Sequence, residues 1–306
     1  MSFSSDSSLD NCGRHNDDDI PRYKVARAVP PLVKVLTCGL PASSAREHAA
    51  LALASLVHSG LAVEVAREGA VPPLVKLLSD GSPNAKGNAA LALLELTEFS
   101  YEDKNYLARA AQIVAEGGVL QPIALLASGT SEAKRHAAGA LRRIATCDAA
   151  SAARIEAEGS VPPLIALLVS GTPKAKQHAA RLLTTLTDLA VQDTAEAEKH
   201  FHILDDVVGA GAVPPLVAML TGDLSTEAAE ALKNLSVRSR ARCDKIVAEG
   251  AVPHLFAMLA SPKTKDYAAG VLLELEKSGV KSSDLGGAAQ LNGLKAPKRG
   301  VRRAAC

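Results

Sequence analysis

Hydrophobic and polar positions along this chain fall into two phrases that recur together. The first, AVPPLV at Ala28, returns as AVPPLV at Ala70, VLQPIA at Val119, SVPPLI at Ser160, AVPPLV at Ala212 and AVPHLF at Ala251. Measured at the residue before the Pro-Pro pair or its equivalent (Val29, Val71, Leu120, Val161, Val213, Val252), the copies recur with a basic period of about 42 residues. The second phrase follows the first in every period: REHAALALASL ending at Leu56, KGNAALALLEL at Leu96, KRHAAGALRRI at Ile144, KQHAARLLTTL at Leu186, TEAAEALKNL at Leu235 and KDYAAGVLLEL at Leu275. Registered on their Ala-Ala pairs, these share a column that is Leu throughout (Leu53, Leu93, Leu141, Leu183, Leu232, Leu272). Four residues earlier runs an unbroken Ala column (Ala49, Ala89, Ala137, Ala179, Ala228, Ala268), and three residues later stands Leu or Ile. A stripe at i, i+4, i+7 predicts an amphipathic helix. Its small Ala positions let neighbouring helices approach, while the Leu column fills a core shared between repeats.

Each Pro-Pro predicts the start of another helix, because the fixed φ of proline suits the first turn and its missing N–H costs nothing there. Before it stands Gly69, Gly118, Gly159, Gly211 or Gly250, where a shorter helix such as RCDKIVAEG is expected to end in the left-handed conformation. Each period therefore predicts three helices. The second and third are joined by SDGSPN, ASGTSE and VSGTPK, residues that break a helix and then cap the next. Two periods are longer than the rest. Their extra residues, TEFSYEDKNYL with Phe99, Tyr101 and Tyr106, and VQDTAEAEKHFHILDDVV with Phe201, fall between a third helix and the next first helix. They read either as aromatic anchors on a binding edge or as longer first helices that bury those rings.

Three helices in about 42 residues, glycine ahead of Pro-Pro, and AAxALxNL in the third helix resemble the armadillo repeat over roughly residues 22–280. HEAT repeats share the period but use two helices and lack the glycine corner. The first copy is incomplete, with Arg27 at the glycine position. The resemblance implies an all-α, right-handed superhelical solenoid of about six three-helix armadillo repeats, whose third helices line a concave groove that holds extended peptides. In the family an Asn at the xNL position grips the peptide backbone, since one amide offers donor and acceptor together. That column here reads Ser55, Glu95, Arg143, Thr185, Asn234 and Glu274, so only Asn234 matches the motif. Import adaptors of the importin-α type carry Trp four residues earlier; here the column is Leu51, Leu91, Gly139, Arg181, Glu230 and Gly270. The chain is not a close match to that branch.

Helix geometry puts a third column on the same face: His48, Asn88, His136, His178, Glu227 and Tyr267. Together the columns predict a polarised groove, with His48, His136, Arg143, His178 and Arg181 toward the N-terminus and Glu227, Glu230 and Glu274 toward the C-terminus. The same residues could instead form solvated faces. Arg46, Lys86, Lys134, Lys176 and Lys265 form a basic column half a helical turn away and are expected at a solvated repeat edge.

With 47% apolar residues, the 306-residue chain can bury a substantial core. Its 34 Lys and Arg against 33 Asp and Glu give no general electrostatic case for nucleic acid or a membrane surface. Aromatics at 3% and the absence of Trp leave little for base stacking. Five scattered cysteines without a CxxC pair argue against a disulfide framework or zinc site and for a reducing compartment, cytoplasmic or nuclear. No apolar run of about 18 residues, signal peptide, CaaX box or N-terminal glycine is evident, so no membrane anchor is expected. His200, His202, Asp205 and Asp206 contain metal-binding residue types, but an i, i+2 histidine pair diverges on a helix and no metal site is expected. Neither GxxxxGK[ST] nor GxGxxG occurs, and about twenty residues precede the first repeat, too few for a U-box.

Residues 1–21 read as a disordered acidic, Ser-rich tail and 281–306 as a disordered basic one, with Lys281, Lys295, Lys298, Arg299, Arg302 and Arg303 against Asp284. The expectation is a monomeric protein-binding adaptor or scaffold, without cofactor or metal and not an enzyme. The alternative is a nuclear transport or chromatin-associated role carried by the basic tail, which could also fold back on the acidic groove end; catalysis ranks third.

Overall fold

The computed structural model describes residues 25–38, 43–98, 105–192, 195–281 and residue 285; the expected N-terminal tail, the expected C-terminal tail apart from Lys281 and Leu285, and the aromatics Phe99 and Tyr101 lie outside the described residues. The described part is helical, with no strand. The first period contributes α1 (Val29–Thr37) and α2 (Ser43–Leu56), and the second α3 (Ala62–Arg67), α4 (Val71–Asp80) and α5 (Pro83–Leu96). Next come α6 (Tyr106–Ala115), α7 (Leu120–Ser128) and α8 (Ser131–Ala145), then α9 (Ala149–Ala157), α10 (Val161–Ser170) and α11 (Pro173–Val191). The fifth period holds α12 (Ala195–Lys199), α13 (His202–Gly209), α14 (Val213–Met219) and α15 (Ser225–Ser236), and the sixth α16 (Arg240–Ala248), α17 (Ala251–Met258) and α18 (Lys265–Lys277).

Local chemistry explains these boundaries. Helices α1, α4, α10 and α14 open with proline in their first turn. The third helices α5, α8 and α11 start where the hydroxyls of Ser82, Thr130 and Thr172 accept from the N–H of Ala85, Ala133 and Ala175 at 3.1, 3.2 and 3.3 Å. Glycines 69, 159, 211 and 250 take positive φ as expected. The third period departs from the prediction: the left-handed residue is Gly117 (φ +80°), not Gly118. Gly118 donates its N–H to the Ile113 carbonyl at 2.8 Å, and a Cβ there would lie 2.5 Å from the Ile113 side chain. The turn closes one residue early, and Gly118 is the extra residue before α7.

The third helices stack in order, each on the next: α2, α5, α8, α11, α15, α18. Every member of the Ala and Leu columns is buried, and one continuous core runs from Val29 to Leu285. Truncating a Leu of this column costs about 2–5 kcal/mol, as large-to-small changes in packed cores do.

Two expectations are corrected here. The extra residues after Leu186 lengthen the first helix only in part; they continue the third helix, α11, to 19 residues and add the short α12 directly ahead of the first helix α13. Leu189, Ala190 and Val191 keep packing on the core, so the amphipathic run does not stop where its neighbours stop. Phe201 is half-buried against that core, as one reading anticipated. Second, Ser44–Arg67 contains an 18-residue stretch of mean hydropathy 1.7, apolar and long enough to cross a membrane by length and composition, where no such run was expected. A π turn at Val57–Leu61 joins α2 to α3, but Gly60 within it takes φ +90°, so the two helices meet at a kink and remain separate. Its Leu53, Val57, Leu61 and Val65 are buried within the solenoid.

Candidate functional site: the face of the third-helix ladder

Because α2, α5, α8, α11, α15 and α18 stack side by side, the three columns outside the Leu stripe come together on one continuous face. Its first third is open and lightly charged. His48 and Ser55 are exposed, bonded only to carbonyls of their own helix at 2.6 and 3.1 Å, and Leu51 between them is 43% exposed. Asn88 spends its amide N–H on the Glu47 carbonyl at 3.1 Å. Glu95 meets His58 at 3.1 Å and raises the pKa of that imidazole by hydrogen bond and charge.

The middle is crowded with cations. Arg143 reaches Glu98 at 2.6 Å and Arg181 reaches Glu227 at 2.9 Å, while Arg135 pairs with Glu132. Thr185 bonds back to the Arg181 carbonyl at 2.9 Å. His136 is buried, with Nδ1 3.1 Å from the Gly87 carbonyl, and burial followed by the Arg135 charge lowers its pKa. His178 is pushed down to about 4, first by burial and then by Arg142, Arg135, Arg181 and Arg143, so it is neutral at physiological pH. The Arg142 guanidinium is lowered to about 10 by burial and by Arg143 and Arg181.

The last third is largely self-contained. Glu227 is buried; burial alone would raise its pKa, but hydrogen bonds from Gln177 at 2.8 Å and Thr226 at 2.7 Å, with the Arg181 charge, leave it lowered. Asn234 is 4% exposed and donates to Asp188 at 2.8 Å, Thr187 at 3.1 Å and the Thr184 carbonyl at 3.4 Å on α11. Glu230 is half-buried, Tyr267 is 37% exposed, and Glu274 pairs with Lys277 at 2.7 Å.

Three expectations change. Asn234 matches the family motif, but its donor is engaged in the seam between repeats rather than free to grip a peptide. His136 and Glu227 are buried ties between neighbouring third helices. Charge polarity is blunted as well, because Arg181 and Glu227, assigned to the basic and acidic parts of the expected groove, neutralise each other across the α11–α15 seam. The residues left facing outward are His48, Leu51, Ser55, Arg181 and Tyr267. In the basic column, Arg46 pairs with Asp80 at 3.3 Å.

Sequence reasoning missed three arginines. Arg109 and Arg242 sit at equivalent places in α6 and α16, 4% and 3% exposed. Each sends Nε to the last carbonyls of the preceding third helix, Leu96 at 2.6 Å and Leu235 at 2.8 Å. Their shared position ahead of the left-handed glycine was the available signal. Arg142 lies beside Arg143, on the flank of α8 that meets α11. The metal-type residues regroup: His202 and Asp206, one turn apart on α13, approach Glu156 of α9, without His200 or Asp205. His202 and Asp206 are exposed, and Asp205 serves Arg242 instead.

The family model for the Armadillo/beta-catenin-like repeat matches residues 58–98. Among solved structures, an engineered protein is 29% identical, with a TM-score of 0.67 over 82% of this chain and 98% of its own. A computationally designed armadillo repeat protein for modular peptide recognition is 20% identical, with a TM-score of 0.66 over 80% and 99%. Another designed armadillo repeat protein, in complex with a (KR)4 peptide, is 20% identical, with a TM-score of 0.65 over 81% and 99%. No curated protein sequence matches. The helix order, the stacking and these likenesses define an armadillo-repeat protein, a right-handed superhelical solenoid of about six three-helix repeats.

Proposed function

We propose that this chain is a scaffold that binds extended segments of other proteins along the face of its third-helix ladder. The observation that carries the reading is the continuity of that face. Six stacked helices present outward-facing polar and apolar side chains, from His48 and Leu51 at one end to Tyr267 at the other. An extended peptide needs such a track, because its repeating backbone and alternating side chains meet similar surroundings at each step. The designed armadillo proteins of the same fold, one made for peptide recognition and one solved with a (KR)4 peptide, support it. Binding rather than catalysis is the proposed activity, since the charged groups of the face are tied into ion pairs between repeats. We place the protein in a reducing compartment, cytoplasmic or nuclear, and as a monomer. The three described cysteines, Cys38, Cys147 and Cys243, are unpaired, and burial pushes the Cys147 thiol up to about 11.

The test is selection of peptides on the purified chain from a random library, followed by affinity measurement on a variant carrying Ser55→Arg, Arg181→Ala and Tyr267→Ala. All three positions lie on the face and outside the buried core. Selected peptides should bind the wild type and lose about tenfold or more on the variant. Peptides indifferent to the variant would move the site elsewhere, and a library that yields no binder would overturn the reading.

A further inference from the structure

The seam between α8 and α11 holds four arginines around one neutral histidine. Three of the four have a carboxylate: Arg135 has Glu132, Arg143 has Glu98, and Arg181 has Glu227. Arg142 has none. It is half-buried, its Nε is shut off from solvent without a hydrogen-bond partner, and no described residue accepts from its guanidinium or pairs with it. The neighbouring Arg143 Nε and His178 Nδ1 are also buried and unpartnered. Holding a half-buried cation there, among like charges and with its Nε out of water, opposes folding unless something compensates. A half-buried apolar side chain would pack the same seam at lower cost, so the charge calls for a use outside the fold.

We propose that Arg142, backed by Arg143 and Arg181, is an anion subsite of the ladder that receives a carboxylate or phosphate carried on a side chain of the bound peptide. The inference rests on the peptide-binding reading above and adds the chemical class of the partner. A planar guanidinium presents its N–H groups as a fork that matches the paired oxygens of either anion. Arg143 and Arg181 already hold exposed or half-exposed ends of inter-repeat ion pairs, so they sit ready to share a second anion without leaving their own. His178, uncharged, adds no repulsion to the four guanidiniums.

Three fluorescent peptides of equal length decide it: one of alternating Ser and Asp, one in which phosphoserine replaces the Asp, and one in which Lys does. Anisotropy would be measured on the wild type, Arg142→Met and Arg142→Lys, with the melting temperature of each. The expected result is that the two anionic peptides bind the wild type about tenfold more tightly than the lysine peptide. Arg142→Met removes that preference and leaves lysine-peptide binding unchanged. Arg142→Lys, which keeps the charge but not the fork, retains part of it. The Met variant melts at or above the wild-type temperature, which a residue serving the fold would not do. The stronger of the Asp and phosphoserine responses identifies the source of the anion. Anionic peptides that bind Arg142→Met as well as wild type overturn the subsite, as does a Met variant that melts well below wild type. If the lysine peptide binds best and is displaced from the Ser55→Arg, Arg181→Ala, Tyr267→Ala variant, the groove stands and the subsite falls. If no peptide binds the wild type, both fall.

Discussion

Arg142 and Arg242 are two arginines withdrawn into the same solenoid, one in its middle and one near its end, and they are used in opposite ways. Arg242 is 3% exposed with every kind of donor engaged: Nε on the Leu235 carbonyl at 2.8 Å, Nη1 on Asp205 at 2.7 Å and Nη2 on the Val237 carbonyl at 2.7 Å. The Phe201 ring lies 4.9 Å from its guanidinium carbon. Arg142 has no such partner. Burial alone therefore does not say what a cation is for; the state of its donors does. Where they are all satisfied, the residue clamps one repeat to the next. Where they are idle, the fold carries a charge that it does not itself use.

Substitutions sharpen this contrast. The largest effect is expected for Arg242→Ala, which strands the Leu235 and Val237 carbonyls and leaves a void beside Phe201. It should lower stability by about 3–5 kcal/mol, read as a shift in the urea midpoint. An undisturbed midpoint would remove the distinction between the two arginines.

The second effect concerns His178, which sits among the idle donors. Its pKa in the folded chain, about 4, is below the ordinary 6.5, so the unfolded chain binds the extra proton and stability falls as pH drops through that interval. The loss between pH 7 and pH 4 should be about 2 kcal/mol, below the full value of the shift because the ring is partly exposed. His178→Gln should flatten the dependence between about pH 6.5 and 5, above the range where most carboxylates titrate. A parallel slope in both proteins would mean that neither burial nor the surrounding cations hold the His178 pKa down.

Asn234→Ala should cost about 1–2 kcal/mol from the lost bonds to Thr184, Thr187 and Asp188, with little change in peptide affinity. A large affinity loss without destabilisation would return Asn234 to the role its motif suggests. Smallest is Arg142→Met, expected to stabilise the unliganded protein by about 1 kcal/mol. Asn234 thus serves the fold where its motif position implies a ligand contact.

The repeat architecture was legible because two apolar columns persist through six copies, and columns of that regularity have one physical reading. Helix starts at Ser82, Thr130 and Thr172 were legible for the same reason, as side-chain oxygens placed one step ahead of an apolar run. The Gly117 turn was not, because two adjacent glycines both tolerate positive φ and only the packing of Ile113 selects between them. The extension of α11 was hidden because Leu189 to Val191 suit any helix; what decides is the core they meet. The columns of the candidate face were legible in the sequence, but the partners of their residues were not. Arg181 finds Glu227, and Asn234 finds Asp188, across a repeat boundary whose rotation no single copy encodes. Arg142 escaped notice because its importance lies in a missing partner, and a sequence does not show vacancies.

The side-by-side stacking of the third helices also gives the molecule a built-in scale. Packed helices lie about 8–10 Å apart, and an extended chain advances about 3.3 Å per residue, so one repeat corresponds to roughly three residues of a bound segment. Arg142 on α8 and Glu274 on α18 are three steps of the ladder apart. A segment with its anion at the first and a lysine or arginine at the second would need them separated by roughly eight or nine residues. What such a solenoid selects is then less a motif than an interval, and partners unrelated in sequence could share it.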